Sequence, residues 1–174
     1  MPSIALAMLP DTPIGTITVA LSPRGLVAVG VGTPSAEFKR LVARLPGIDG
    51  AAVTLDAAAG TPAIQQLAEY FAGRRRAFDL SIDESVLTDF QRLALGAVQA
   101  IPWGETRTYA DIAREIGRPT AVRAVGRANA TNPMPIVIPC HRVLGAGGTL
   151  HGYSAPGGIE TKAWLLRHEG RALL

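Results

Sequence analysis

Two β-branched-rich apolar runs, Thr16–Ala20 and Leu26–Val31, flank the turn signal Ser22-Pro23-Arg24-Gly25, a pattern that predicts a β-hairpin. Helical spacing follows over 34–45 and stops at Pro46-Gly47. Residues 51–55 and 78–82 read as two further strands. Between them, Thr61-Pro62 has the form of an N-cap and first helical residue, and Ile64, Leu67, Ala68 and Phe71 carry an apolar stripe as far as Gly73. The opening stretch 1–9 is mildly apolar and lacks the basic flank of a secretory leader.

A boundary over 83–86 divides the chain into domains 1–85 and 86–174. Past it, Thr88 and Gln91 have capping-box spacing, and Phe90, Leu93, Ala94 and Ala97 form the expected buried face of a helix that Pro102 stops. Thr108 to Asp111 is another capping arrangement, followed by Tyr109, Ile112, Ala113 and Ile116 at i, i+3, i+4, i+7. Gly117 closes that helix and 121–130 forms the next, which together read as a helix-turn-helix. The second helix is slim, with Ala121, Ala124, Gly126 and Ala128. A glycine costs about 1 kcal/mol in a helix interior, so Gly126 predicts a close approach by a neighbouring helix or a DNA groove. Residues 159–169 form the closing helix, capped by Gly170. The pattern is α+β: a small N-terminal α/β domain with an antiparallel sheet, then a mainly helical domain.

Composition adds three constraints. With 48% hydrophobic and 18% charged residues, the chain is a folded globular protein. A single cysteine excludes an intramolecular disulfide and suits a reducing, cytoplasmic compartment. No stretch approaches the roughly 18 apolar residues of a membrane span, so no membrane partner is expected. Charge is uneven: residues 1–88 carry seven basic and eight acidic side chains, residues 89–174 ten and six. A basic second half beside a neutral first half suggests a polyanion contact confined to that half.

The candidate chemistry lies in 132–143, Asn-Pro-Met-Pro-Ile-Val-Ile-Pro-Cys-His-Arg-Val. Three prolines exclude a helix, and Ile136-Val137-Ile138 reads as a short buried strand delivering one thiol to one place. Cys140 is open to three readings: a buried core cysteine, a nucleophile activated by His141, or a metal ligand, the last poorly supported by three scattered histidines.

This stretch resembles the active-site signature of the O6-alkylguanine-DNA alkyltransferases. The likeness continues in order through Ile101 to Tyr109, Arg123 to Gly126, Gly152-Tyr153-Ser154 and Trp164 to Gly170, and so covers the C-terminal half. It implies a ribonuclease H-like first domain and a winged helix-turn-helix in the second. It implies single-use transfer of an alkyl group from O6-alkylguanine, and from O4-alkylthymine, to Cys140 after base flipping. His141 would activate the thiol, Glu169 would orient His141 and Asn132 would support the turn. Tyr109 would contact the base and rotate its phosphate. The Cys140 and Val143 carbonyls would accept from the exocyclic amine, with Tyr153 and Ser154 lining the pocket. Arg123 would fill the vacated space, with Thr120, Ala124 and Arg127 on the same DNA-binding face. The partner would be double-stranded DNA met in its minor groove by a monomer, with no cofactor and no metal. Leu95 departs from a tryptophan common in the family, and the 153–162 loop is two residues longer than in many relatives.

Overall fold

The apolar opening stretch is the strand on which the first half is built. In the computed structural model, which describes residues 3–171, β1 (Ser3–Thr12) lies inside a sheet ordered β3-β2-β1-β4. It pairs antiparallel with β2 (Gly15–Ser22), which pairs antiparallel with β3 (Gly25–Val31). The predicted hairpin is thus β2–β3, and sequence reading had overlooked β1. Met1 and Pro2 of that opening stretch lie outside the described residues. After α1 (Ser35–Ala43) the chain adds β4 (Ala52–Leu55) parallel to β1, so one edge of the otherwise antiparallel sheet is parallel.

The helix α2 (Ala57–Phe71) begins five residues before the expected first helical position, Pro62. Asp56 is its cap and accepts from the Ala59 N–H at 3.0 Å, while Pro62 falls inside the helix. Three alanines of high helix propensity after an aspartate cap outweigh the local Thr-Pro signal. On α2, a Cβ added to Gly60 would stand 2.1 Å from Ala7 Cβ, so glycine is what lets the helix lie against β1. The strand expected over 78–82 is reduced to one bridge between Ile82 and Leu26. Chain direction turns at buried Asp83, whose carboxylate accepts from Ser22 Oγ and Ser85 Oγ, each at 2.6 Å.

The chain divides into two units between Thr88 and Asp89, later than the expected 85/86. Glu84–Val86 forms a helical turn capped by Asp83 and so stays with the first unit. In the second unit, α3 (Asp89–Gln99) buries Ala94, Leu95 and Val98, whereas Leu93 is 39% exposed. The buried face is rotated from the expected one, because Leu95 and Val98 join Ile101 in the core. The helix α4 (Tyr109–Glu115) carries the expected capping box: Thr108 Oγ1 accepts from Asp111 N–H at 3.1 Å, and Asp111 Oδ2 accepts from Thr108 N–H at 2.8 Å. With α5 (Val122–Ala130) it forms the helix-turn-helix, packed on α3. Parallel pairing of β5 (Arg107–Thr108) with β6 (Val143–Leu144) brings the start of α4 beside the Cys140 segment. The last helix, α6 (Ile159–His168), closes the unit.

Candidate active site

Residues 136–138 are buried, as their apolar character requires, but they form a tight turn rather than a strand. Ile138 N–H donates to Met134 O at 2.9 Å, and Ile136 takes φ +74°. A β-branched residue in the left-handed region is strained, and such strain persists only where neighbours over-determine it. Asn132 supplies that constraint. Its Nδ2 donates to Ile138 O at 2.9 Å and its Oδ1 accepts from Met134 N–H at 2.9 Å. The prolines and Asn132 therefore turn the chain so that Cys140 opens a short 3-10 helix, Cys140–Arg142.

Cys140 is 4% exposed and lies on the wall of a small cleft. Tyr109 of α4, Gly126 and Asn129 of α5, Tyr153, Ser154, and Lys162 of α6 share that wall. Gly126 has nothing within 4 Å of the position a Cβ would take, so no neighbouring helix approaches it and its smallness widens the cleft. The two carbonyls flanking the turn are each engaged from α5 or α6. Asn129 Nδ2 donates to Cys140 O at 3.2 Å, and Lys162 Nζ donates to Val143 O at 2.7 Å.

Behind the thiol runs a buried charged chain. His141 Nε2 lies 2.8 Å from Glu169 Oε1. Arg142 grips the same carboxylate twice, Nε to Oε2 at 2.8 Å and Nη2 to Oε1 at 2.9 Å, and donates Nη1 to Ile101 O at 2.6 Å. Although burial opposes ionisation, these donors hold Glu169 down at about 2, so it is a carboxylate at neutral pH. A carboxylate only accepts, so His141 Nε2 carries the proton it donates to Glu169. Burial keeps the His141 pKa below the ordinary value, against the pull of Glu169, and the ring rests neutral. Its basic lone pair is therefore on Nδ1, which is buried and has no hydrogen-bond partner among the described residues.

Burial also pushes the Cys140 thiol above its ordinary pKa, with Asn132 and Lys162 acting in the opposite direction. At rest the sulfur is protonated, and a base is needed to make it a nucleophile. The Tyr153 hydroxyl is raised well above the tyrosine range by burial and by the nearby thiol, yet it makes no hydrogen bond of normal geometry among the described residues. Burial lifts Tyr109 as well, with Asn129 pulling it down.

The structure thus brings together Cys140, His141, Glu169, Asn132, Tyr109, Val143, Tyr153 and Ser154. Thr120, Arg123, Ala124 and Arg127 stand apart, exposed on the turn and outer face of the helix-turn-helix. Sequence reading missed Arg142, Lys162 and Asn129. Arg142 stood in the quoted stretch with no role, and nothing in a sequence marks a lysine or an asparagine as buried.

Comparison with known proteins covers nearly the whole chain. Residues 6–83 match the ribonuclease-like domain of 6-O-methylguanine DNA methyltransferase, and residues 89–171 match its DNA binding domain. The chain is 43% identical over 150 residues to a methylated-DNA–protein-cysteine methyltransferase of Mycolicibacterium paratuberculosis, covering 86% of this chain and 89% of the relative. The Salmonella typhimurium protein of the same name is 50% identical over 109 residues, a match that spans 63% of each. A crystal structure of Mycobacterium tuberculosis OGT in complex with DNA is similar with TM-score 0.78 and 38% identity, covering 97% of this chain and 94% of that one.

Proposed function

The chain belongs to the 6-O-methylguanine DNA methyltransferase family, and from that premise we propose that it reverses DNA alkylation directly, moving an alkyl group from O6 of guanine, or O4 of thymine, to Cys140 Sγ. One observation carries this reading: a single thiol on a cleft wall, backed by the buried His141–Glu169–Arg142 chain.

His141 Nδ1 takes the thiol proton through a water, since side chains adjacent in sequence do not face each other directly. Glu169 holds the ring in the tautomer that leaves Nδ1 basic and balances the imidazolium that forms. The thiolate attacks the alkyl carbon. The S–C bond forms, the C–O6 bond breaks, and O6 keeps the electron pair. Guanine recovers a proton at N1, which restores the normal base. The product on Cys140 is a thioether, which does not hydrolyse under mild conditions, so each molecule acts once.

The cleft admits a base only after it leaves the stack, which costs a few kcal/mol. Arg123 enters the vacated space, Tyr109 contacts the base and rotates its phosphate, and Thr120, Ala124 and Arg127 lie along the backbone. The small side chains of α5 suit a minor groove, met by a monomer in the cytoplasm. The Cys140 carbonyl already accepts from Asn129 Nδ2 and from the Val143 N–H, whereas the Val143 carbonyl accepts from Lys162 Nζ and has a second lone pair for the exocyclic amine. In the pocket loop, Gly158 N–H is spent on Ala155 O, whereas Ser154 N–H has no hydrogen-bond partner among the described residues and suits the leaving oxygen.

The test is a Cys140→Ser variant incubated with duplex carrying O6-methylguanine. It is expected to bind the duplex and leave its methyl group in place. Methyl loss from DNA at the wild-type rate would overturn the reading.

A further inference from the structure

Every ionised group around Cys140 has a counter-charge except one. In the turn itself, neutral His141 is committed to Glu169, and Arg142 spends its charge on the same carboxylate. Tyr109 and Tyr153 are phenols whose raised pKa values keep them neutral. That leaves Lys162, 1% exposed, in the first part of α6. Its ammonium makes one hydrogen bond, to the uncharged Val143 carbonyl, and lies 5.9 Å from the centre of the Tyr109 ring. No carboxylate pairs with it among the described residues. A buried cation held only by a carbonyl and a ring face is costly, and a neutral side chain of the same length would remove that cost. The anion that this cleft can generate for it is the Cys140 thiolate.

We propose that Lys162 is a positioning residue for alkyl transfer: tethered to Val143 O on the cleft wall, its ammonium supplies the counter-charge that makes thiolate formation at Cys140 possible. The inference deepens the proposed function and rests on Cys140 being its nucleophile. The mutual effect is visible in both titrations. Burial raises the thiol pKa and Lys162 draws it down, while burial lowers Lys162 to about 8 even with the thiolate drawing it up. Lys162 can therefore offset the thiolate that forms during transfer as long as it keeps its own proton, and the advantage fades as pH rises past about 8.

Because Cys140 is the only cysteine in the chain, the pH profile of alkylation by iodoacetamide reports its ionisation without DNA. Lys162→Met is expected to move that profile to higher pH by about one unit, a roughly tenfold slower reaction at pH 7. Lys162→Arg, which keeps the charge, is expected to stay closer to wild type. A Lys162→Met profile that overlays the wild-type profile would overturn the proposal. A second measurement needs no variant: the Lys162 Nζ titration followed by NMR before and after Cys140 is alkylated. Its pKa is expected to fall once the sulfur can no longer ionise, and an unchanged value overturns the proposal equally. Neither readout uses methylated DNA, so failure of methyl transfer by wild-type protein would count against the proposed function alone.

Discussion

Replacing Glu169 by glutamine keeps the size of the side chain and removes its charge, and the structure gives the consequence a magnitude. Three donors converge on the carboxylate, two from Arg142 and one from His141, at 2.8–2.9 Å. An amide accepts at one oxygen only, and its NH2 opposes the guanidinium. Arg142, 5% exposed, is then a buried cation without a counter-charge, which costs about 3–5 kcal/mol. The titration of Glu169 gives an independent size. Its carboxyl is held at about 2 rather than 4.5, and a depression of that size corresponds to about 3 kcal/mol. Because the folded pKa is the lower one, this stability is complete above 4.5 and is lost as pH falls toward about 2. Against a total of about 5–15 kcal/mol the loss is large. Both tryptophans, Trp103 and Trp164, lie in the second unit, so their fluorescence in urea reports its unfolding. The expected results are a stability loss of about 3 kcal/mol at pH 7, and a smaller further loss than wild type between pH 4.5 and acid. Single-turnover repair should slow on the order of a hundredfold with duplex affinity nearly intact. A Glu169→Gln variant as stable as wild type at pH 7, and as fast, would mean that the carboxylate neither anchors Arg142 nor serves His141.

Three further outcomes are expected. Arg123→Ala should slow repair of duplex strongly and reaction with free O6-benzylguanine hardly at all, because only the duplex requires extrusion; equal losses in the two single-turnover rates would remove Arg123 from flipping. Asn132→Ala removes two buried hydrogen bonds that hold the strained Ile136 turn, and should lower the unfolding free energy from urea curves by about 2 kcal/mol or more and slow iodoacetamide at Cys140. Gly126→Ala fits without a clash and should stabilise α5 by up to about 1 kcal/mol, read from the same unfolding curve, while narrowing the cleft and slowing transfer of bulky alkyl groups more than of methyl.

The second unit was largely legible because proline, glycine and capping residues punctuate it. Thr108 and Asp111 form the box their spacing announces, and Gly117 ends α4. Elsewhere the local signal misled. Strand β1 was overlooked because Pro10 breaks its β pattern at the irregular end, between the Leu9 and Thr12 pairings. The run Ile136-Val137-Ile138 has strand composition, yet Asn132 bends it into a turn, a tertiary constraint that β-propensity does not contain. Of the site, the thiol and its neighbouring base stood as candidates in the sequence itself, whereas the carboxylate was readable only through the family likeness, since Cys140 and Glu169 are 29 positions apart. Arg142, Asn129 and Lys162 were not readable, because their roles come from burial against carbonyls and a carboxylate that distant parts of the chain supply.

The central claim is that Cys140 is the acceptor and is consumed. Its most direct test is incubation of the wild-type protein with a large excess of duplex carrying isotopically labelled O6-methylguanine, followed by counting of label and peptide mapping. The account predicts that uptake stops at one methyl group per protein molecule, all of it on the peptide containing Cys140. Continued demethylation beyond one equivalent, or label on any other residue, would contradict it.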